Sequence, residues 1–414
     1  MDVFHYKNKE LFCEDVAVRE IAEKIKTPVF IYSETYLKQQ FLDFSKTFPE
    51  KHIVCFAVKA NNNLSILKLF SNLGSGADIV SGGELYISKK ANIPSSKIVF
   101  AGAGKEDWEI EYALDEEILM FNVESLSELN KVSKIACSKK KKARIAVRVN
   151  PEIDPKTHPY ISTGLKKNKF GVSYDEALNI YQHAKNLSCV DVAGIHFHIG
   201  SQLTDLSPLR ESSEKIAQLV LKLKEKNINI RYIDVGGGLG ITYKDEKIPP
   251  LNEYKKAIVS AFSPLKDEIV WVFEPGRFLA GNSAILVVKV LYEKENGVKK
   301  FLITNGGMND LIRPALYNAY HEILPVITKK RNKEKVDVVG PVCESCDFLA
   351  QERFIEDVEE GEYLAVFSCG AYGFSMSSNY NARLKACEVL VNGKNWRIIR
   401  RRESLEDLTA YETD

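Results

Sequence analysis

The chain has 414 residues, of which 45% are hydrophobic and 27% charged, and its formal net charge is +1. That length suits two domains, or one large barrel with a satellite, and the balanced charge gives no global field for nucleic acid or an anionic membrane. No run approaches the ~18 consecutive apolar residues of a membrane span, and the polar N-terminus (Asp2, Lys7, Lys9, Glu10) lacks a signal-peptide core. The eight cysteines, several in apolar strand contexts (Cys55, Cys189, Cys369), do not have the spacing of a disulfide framework, which points to a reducing cytoplasm.

From about residue 29 to 275, short β-type runs alternate with helix-type stretches. The predicted strands are Ile53–Val58, Ala77–Val80, Ile98–Phe100, Leu119–Val123, Arg144–Val149, Val192–His198, Tyr232–Val235 and Val270–Phe273. Between them lie amphipathic stretches such as Ser212–Lys226, where Ile216, Leu219, Val220 and Leu223 recur at helical spacing. The basic run Lys139 to Lys142 precedes a strand and reads as a solvated loop. Eight strands in regular alternation with helices predict a (β/α)8 barrel; a doubly wound open sheet is the alternative.

After Gly276 the pattern changes. Ala284–Tyr292, Lys300–Thr304, Asp337–Val339, Tyr363–Ser368, Ala386–Val391 and Trp396–Arg400 read as strands, with Asn296-Gly297 and Asn392-Gly393 as hairpin turns. A helical insertion, Pro314–Ile323, interrupts them. The expected organisation is a barrel over 29–276, and an antiparallel β-sandwich or barrel-like domain over 277–414, to which residues 1–28 add a strand.

Function in such a barrel collects at the C-terminal strand ends. Lys59 closes the first strand, Asp78 and Ser81 the second, Asn150 the fifth (with Arg144 and Arg148 on one face), His196 and His198 the sixth, Gly236-Gly237-Gly238 the seventh and Glu274 the eighth. A lysine at an apolar strand end either snorkels to solvent or serves as an amine whose proton must come off. Lysines of the second kind hold carbonyl cofactors, pyridoxal phosphate above all. The glycine run lets backbone N–H groups approach an anion, or is a plain turn; Gly276 and Arg277 would add a donor and a cation. His198 reads as a metal ligand, a base or a stacking surface, with Ser201 at a phosphate. No companion carboxylate or cysteine motif accompanies it, so no metal is expected. Cys343-Glu344-Ser345-Cys346 matches C-x-x-C but has no second pair; the sharper reading is an acid–base cysteine, Cys343, beside Glu344. Arg313 opens a helix at Pro314 and shares a face with Tyr317.

The runs FAVKAN, GADIVSGGEL, GIHFHIGSQ, DVGGGLG, EPGR, RPALYNAYH, GPVCESCD and GAYGFSMSSNYN, in this order over almost the whole chain, resemble the diaminopimelate decarboxylase family of alanine-racemase-like, fold-type-III pyridoxal-phosphate enzymes. The resemblance implies that Lys59 holds the cofactor as a Schiff base and that His198 stacks on its ring. It implies phosphate and ring contacts from Asp78, Ser201, Gly237, Gly238, Gly276, Arg277 and Tyr372, with Glu274 on the ring nitrogen. Arg277, Arg313 and Tyr317 would hold the distant carboxylate of the substrate, Glu344 its ammonium, Tyr372 would also touch it, and Cys343 would return the proton. The implied reaction is meso-2,6-diaminopimelate to L-lysine and CO2, the last step of lysine synthesis. A homodimer with shared active sites is implied as well. Cys346 departs from the family, which has a small residue there. The alternatives are a related basic amino-acid decarboxylase (ornithine, arginine or carboxynorspermidine type), which would not need Arg313, and a non-catalytic homologue, which would lack the cysteine loop.

Overall fold

The computed structural model describes residues 2–48, 51–154, 169–265 and 268–413. Two compact units emerge: Phe41–Ile241 with Lys247–Phe278, and Met1–Gln40 with Thr242–Glu246 and Leu279–Asp414. The expected boundary at residue 29 differs from this division. The strand Val29–Ser33, buried at every position, lies in the second unit, antiparallel to Ala284–Glu295 on one side and parallel to Cys387–Asn392 on the other.

The first unit is a closed parallel barrel. Its eight strands are His52–Ala57, Gly76–Ile79, Ile98–Phe100, Met120–Val123, Ala143–Asn150, Val190–His196, Tyr232–Asp234 and Val270–Phe273. Each pairs with the next in parallel, and Trp271↔His52 closes the ring between the eighth and the first. The predicted strands coincide with these to within two residues at each end. Side chains such as Cys55, Val99, Met120, Ala146 and Val272 fill part of the interior. Local chemistry sets the helix starts: Ser81 and Ser125 accept from the backbone N–H three residues on, at 3.2 and 3.1 Å, and Ser173 forms a capping box with Glu176. The helix Ser207–Glu225 starts with Pro208 and buries Ile216, Leu219, Val220 and Leu223.

The second unit is a mixed sheet. Its order is Phe348–Glu356, Lys333–Val339, Lys300–Thr304, Ala284–Glu295, Val29–Ser33, Cys387–Asn392 and Asn395–Arg400, with Tyr363–Val366 also on Ala284–Glu295 and Ile323–Pro325 beyond it. Two pairings are parallel, Lys300–Thr304 with Lys333–Val339 and Val29–Ser33 with Cys387–Asn392; the rest are antiparallel. Both Asn-Gly signals join antiparallel strands as expected. The N-terminal residues form their own three-stranded sheet, Phe4–Lys7, Glu10–Cys13 and Val16–Ala17. Leu11, Cys13, Val18 and Ile21 bury against Val29, Ile285 and Val389. The helix at Arg313 ends at Tyr317, where Asn318 turns left-handed (φ 51°), and a strand begins at Ile323, so the expected helix to Ile323 is cut short.

The cysteines correct one expectation. Cys137, at the end of the helix Leu126–Ser138, and Cys189, just before the sixth strand, form a disulfide with Cα atoms 5.3 Å apart. Their sequence separation of 52 hides a proximity that only the barrel creates. The other six, including Cys343 and Cys346, are free thiols. Among the described residues no helix is long and apolar enough to cross a membrane.

Candidate active site

Lys59 sits in the short 3-10 turn Val58–Ala60 that follows the first barrel strand. Its ammonium pairs with Asp78 at the end of the second strand, a carboxylate with no exposed side-chain surface. Burial, then the neighbouring Glu274, pushes Asp78 up to about 7, against the pull of Lys59. Among the described residues its Oδ1 has no hydrogen-bond partner.

The ends of the sixth, seventh and eighth strands bring three titratable groups together: His196, Asp234 and Glu274, all buried. Asn122, inside the fourth strand, donates to Asp234 Oδ2 at 2.9 Å and to Glu274 Oε1 at 3.3 Å. His196 Nε2 lies 3.6 Å from Glu274 Oε2. Burial raises the Asp234 carboxyl, with the Glu274 charge adding to it, so Asp234 carries a proton. Burial pushes Glu274 up too, but His196, Lys59 and the bond from Asp234 more than reverse this, and Glu274 is ionised. The two acids share one proton, so one negative charge is stabilised where two would repel. Burial lowers the His196 imidazole, against the pull of Glu274. The ligand atoms of these three groups lie within 4.8 Å of one another, close enough to ligate a metal ion.

His198 follows the sixth strand. Burial, then the Arg148 guanidinium, lowers it, so it presents a neutral, flat ring. Arg148 is itself tied to Glu124 at 2.8 Å, and both are buried. The glycine turn after the seventh strand is required by this ring. Gly236 has φ +68°, and a Cβ there would meet His198 Nδ1 at 2.8 Å; a Cβ on Gly237 would meet Glu274 O at 2.4 Å. Ser201 Oγ accepts from Arg277 Nε at 3.1 Å. The barrel unit therefore places Lys59, Asp78, His198, Ser201, Gly237, Gly238, Glu274, Gly276 and Arg277 at its C-terminal strand ends and the turns after them. Two residues of this site went unmarked in the sequence: Asn122 and the proton-sharing Asp234. The available signal was a single polar residue inside an otherwise apolar strand (Met120-Phe121-Asn122-Val123).

The sheet unit holds the remaining candidates. Arg313 is buried and Tyr317 half-buried on the five-residue helix. Cys343 and Glu344 lie on an exposed loop. That loop is held from within: Asp347 accepts from Val342 N and Met308 N, each at 2.6 Å, and Cys343 N donates to Asn381 Oδ1 at 2.6 Å. The Tyr380 hydroxyl donates to Glu344 Oε2 at 3.3 Å. Tyr372 is half-buried and takes a left-handed backbone (φ 58°), uncommon for a tyrosine and a form of strain that collects at functional sites.

Residues 34–281 match the family profile of the pyridoxal-dependent decarboxylases, pyridoxal binding domain. The chain is 51% identical to a diaminopimelate decarboxylase of Aquifex aeolicus, over 99% of this chain and 97% of that one. It is 46% identical to that of Haemophilus influenzae over the full length of both. Its fold superposes with a TM-score of 0.92 on the Helicobacter pylori diaminopimelate decarboxylase crystallised with L-lysine, which is 45% identical and covers 95% of this chain and 98% of that one. The corresponding figures for the M. jannaschii enzyme with L-lysine are 0.95, 42%, 100% and 98%. With its alanine-racemase-like barrel and second sheet unit, the chain belongs to the diaminopimelate decarboxylase family of pyridoxal-dependent decarboxylases.

Proposed function

We propose that this chain decarboxylates meso-2,6-diaminopimelate to L-lysine and CO2 with pyridoxal phosphate, and that its residues divide the work between barrel and sheet unit. The observation that carries this reading is the barrel's strand-end set. An amine, Lys59, shares an electrostatic neighbourhood with an ionised buried acid, Glu274, and both lie on strand ends whose turns carry glycine and arginine. The donor set suits the cofactor: Asp78 Oδ1 and both ring nitrogens of His196 are buried polar atoms without hydrogen-bond partners among the described residues. Once bound, pyridoxal phosphate supplies the sink for the electron pair that departing CO2 leaves behind. Lys59 holds the cofactor, and Asp78 keeps its ammonium in place until then. Glu274, kept ionised, holds a proton on the ring nitrogen. His198, neutral and flat, covers one ring face. Ser201, Arg277 and the backbone of Gly237, Gly238 and Gly276 hold the phosphate. Arg277, Arg313 and Tyr317 bind the carboxylate that stays, and Glu344 binds its ammonium. Tyr372 touches cofactor and substrate, and Cys343 gives the proton to the carbon that lost CO2.

Arg313 discriminates this substrate from ornithine or arginine, which have no second carboxylate for it to meet. The test is incubation with pyridoxal phosphate and meso-diaminopimelate. L-lysine and CO2 in equal amounts support the reading; turnover of ornithine or arginine in their place overturns it.

The exposure of Cys343 and Glu344 supports a second part of the reading: a homodimer in which the cysteine loop of one subunit completes the site of the other. Inactive Lys59→Ala and inactive Cys343→Ala chains, mixed and allowed to exchange, should regain about a quarter of native activity, because about half the dimers are mixed and each holds one intact site. No recovery despite proven exchange would show that each chain completes its own site.

A further inference from the structure

The buried arginine of the sheet unit is held in a way the decarboxylation reading does not require. His321 is fully buried, and its two ring nitrogens meet groups of opposite kind. Nδ1 lies 2.7 Å from the carbonyl oxygen of Phe367, which only accepts. Nε2 lies 2.8 Å from Nη1 of Arg313, which only donates. The partners therefore fix the tautomer: Nδ1 carries the hydrogen, and Nε2 offers its lone pair to the guanidinium. A protonated ring would turn N–H against N–H at Nε2. Tyr243 completes the arrangement. Its ring centroid lies 4.7 Å from Arg313 Cζ, and it meets the His321 ring edge-on, with centroids 5.3 Å apart. The main chain of His321 is anchored in turn, since Arg353 donates to its carbonyl at 3.0 Å.

An arginine with one terminal nitrogen tethered and one ring beside its plane has lost most of the freedom of its long side chain before any ligand arrives. A guanidinium recognises a carboxylate through two parallel N–H bonds, so the orientation of its plane decides whether both form. A neutral imidazole does this without competing: a carboxylate in its place would satisfy the arginine charge and cancel its attraction for an anion, whereas a lone pair leaves the positive charge intact. A buried, oriented guanidinium is what discrimination between a carboxylate and a hydrogen atom at the same position demands.

We infer that His321 and Tyr243 are positioning residues that set the plane of Arg313 and thereby the selectivity of this chain for amino acids retaining a carboxylate at the end remote from the reacting carbon. The inference rests on the reading of Arg313 given above. The experiment uses the holoenzyme and measures meso-diaminopimelate kinetics together with inhibition by L-lysine, which keeps that carboxylate, and by 1,5-diaminopentane, which lacks it. In His321→Ala, KM and the lysine inhibition constant should rise at least about tenfold, kcat should stay within about threefold, and inhibition by 1,5-diaminopentane should change less than about twofold. His321→Gln, whose amide oxygen can accept near the Nε2 position, should recover most of the loss. Tyr243→Ala should weaken lysine by about two- to fivefold, the size of a cation–π contact, while Tyr243→Phe stays near native. Equal weakening of both inhibitors in His321→Ala, or His321→Gln no better than His321→Ala, overturns the positioning role. Arg313→Ala separates the two readings: if it leaves lysine inhibition unchanged, Arg313 does not bind the carboxylate and the reading of the site fails. If it abolishes lysine inhibition while His321→Ala does not weaken it, only the present inference fails.

Discussion

The barrel mouth and the Cys343 loop treat charge in opposite ways. At the barrel mouth the charges are buried and answered by side chains: Asp78 by Lys59, Glu274 by Asn122 and by a protonated Asp234, Glu124 by Arg148. On the loop, Cys343 and Glu344 stand in solvent, and the bonds that shape the loop run through the backbone and through Asp347 behind it. A thiol in water is a poor place for a proton transfer that must exclude water, whereas a rigid loop is a good way to carry a thiol to a surface elsewhere. The difference separates two parts of the proposal, a barrel that tunes a cofactor and a loop that delivers two groups, and each can be broken separately.

The largest break is Lys59→Ala. Removing the amine should lower turnover by roughly a thousandfold or more and erase the visible absorbance of the bound cofactor, as losing a covalent anchor does. A variant that kept both the absorbance and native turnover would remove Lys59 from its role. A smaller break on the same side is Glu274→Gln, which should retain the cofactor yet slow decarboxylation by about ten- to a hundredfold, because an amide cannot hold the ring nitrogen protonated. Unchanged turnover at full cofactor occupancy would be incompatible with it.

The barrel was legible because its strands obey a simple rule: apolar runs that finish in polar or glycine-rich chemistry at the functional end of the fold. Less legible were features that depend on distant neighbours. The strand Phe348–Glu356 carries Gln351, Glu352 and Arg353 because it is a sheet edge, and edge polarity hides a strand. The Cys137–Cys189 bond joins a helix end to a strand start that only barrel closure brings together. The pairing of Arg313 with His321 crosses a turn whose left-handed Asn318 has no unique signature in the chain. Asn122 is a single polar residue in an apolar strand, and its meaning comes from the two acids it bridges.

A third break tests the sheet unit alone. Asp310 is buried there, and burial pushes it up to about 7, as it does Asp78, but among the described residues its side chain meets the N–H of Gly307 and no lysine; Arg402 and Arg383 act on it only as charges, and its Oδ1 has no partner there. Between pH ~4 and ~7 the folded chain keeps a proton on Asp310 that the unfolded chain has lost, so its contribution to stability falls as pH rises through that window and stays lower above it. Asp310→Asn removes the titration while keeping an acceptor for Gly307. It should be more stable than the native chain by about 1–3 kcal/mol at pH 8, in urea unfolding, and no more stable near pH 4. A difference that is the same at both pH values would mean that Asp310 does not titrate in this range.

The smallest expected effect separates the two cysteines of the loop. Cys346 is half-buried, with its sulfur 4.0 Å from Met308 Sδ, a weak contact between soft atoms. Its carbonyl accepts from Phe348 N at 2.9 Å, a backbone bond indifferent to the side chain. The turn that places Cys343 is set instead by Asp347, whose carboxylate gathers two backbone N–H groups, and by Asn381 on the N–H of Cys343 itself. Cys346→Ala therefore removes one sulfur and no hydrogen bond that shapes the loop. Turnover should stay within about twofold and stability within about 1 kcal/mol of native, the range of a lost partly buried contact, whereas Cys343→Ala should lose most of the turnover. Stoichiometric zinc in the purified protein that disappears with Cys346→Ala would reverse this ranking, because the two thiols would then be joint ligands and Cys343 would be a structural residue rather than the proton donor.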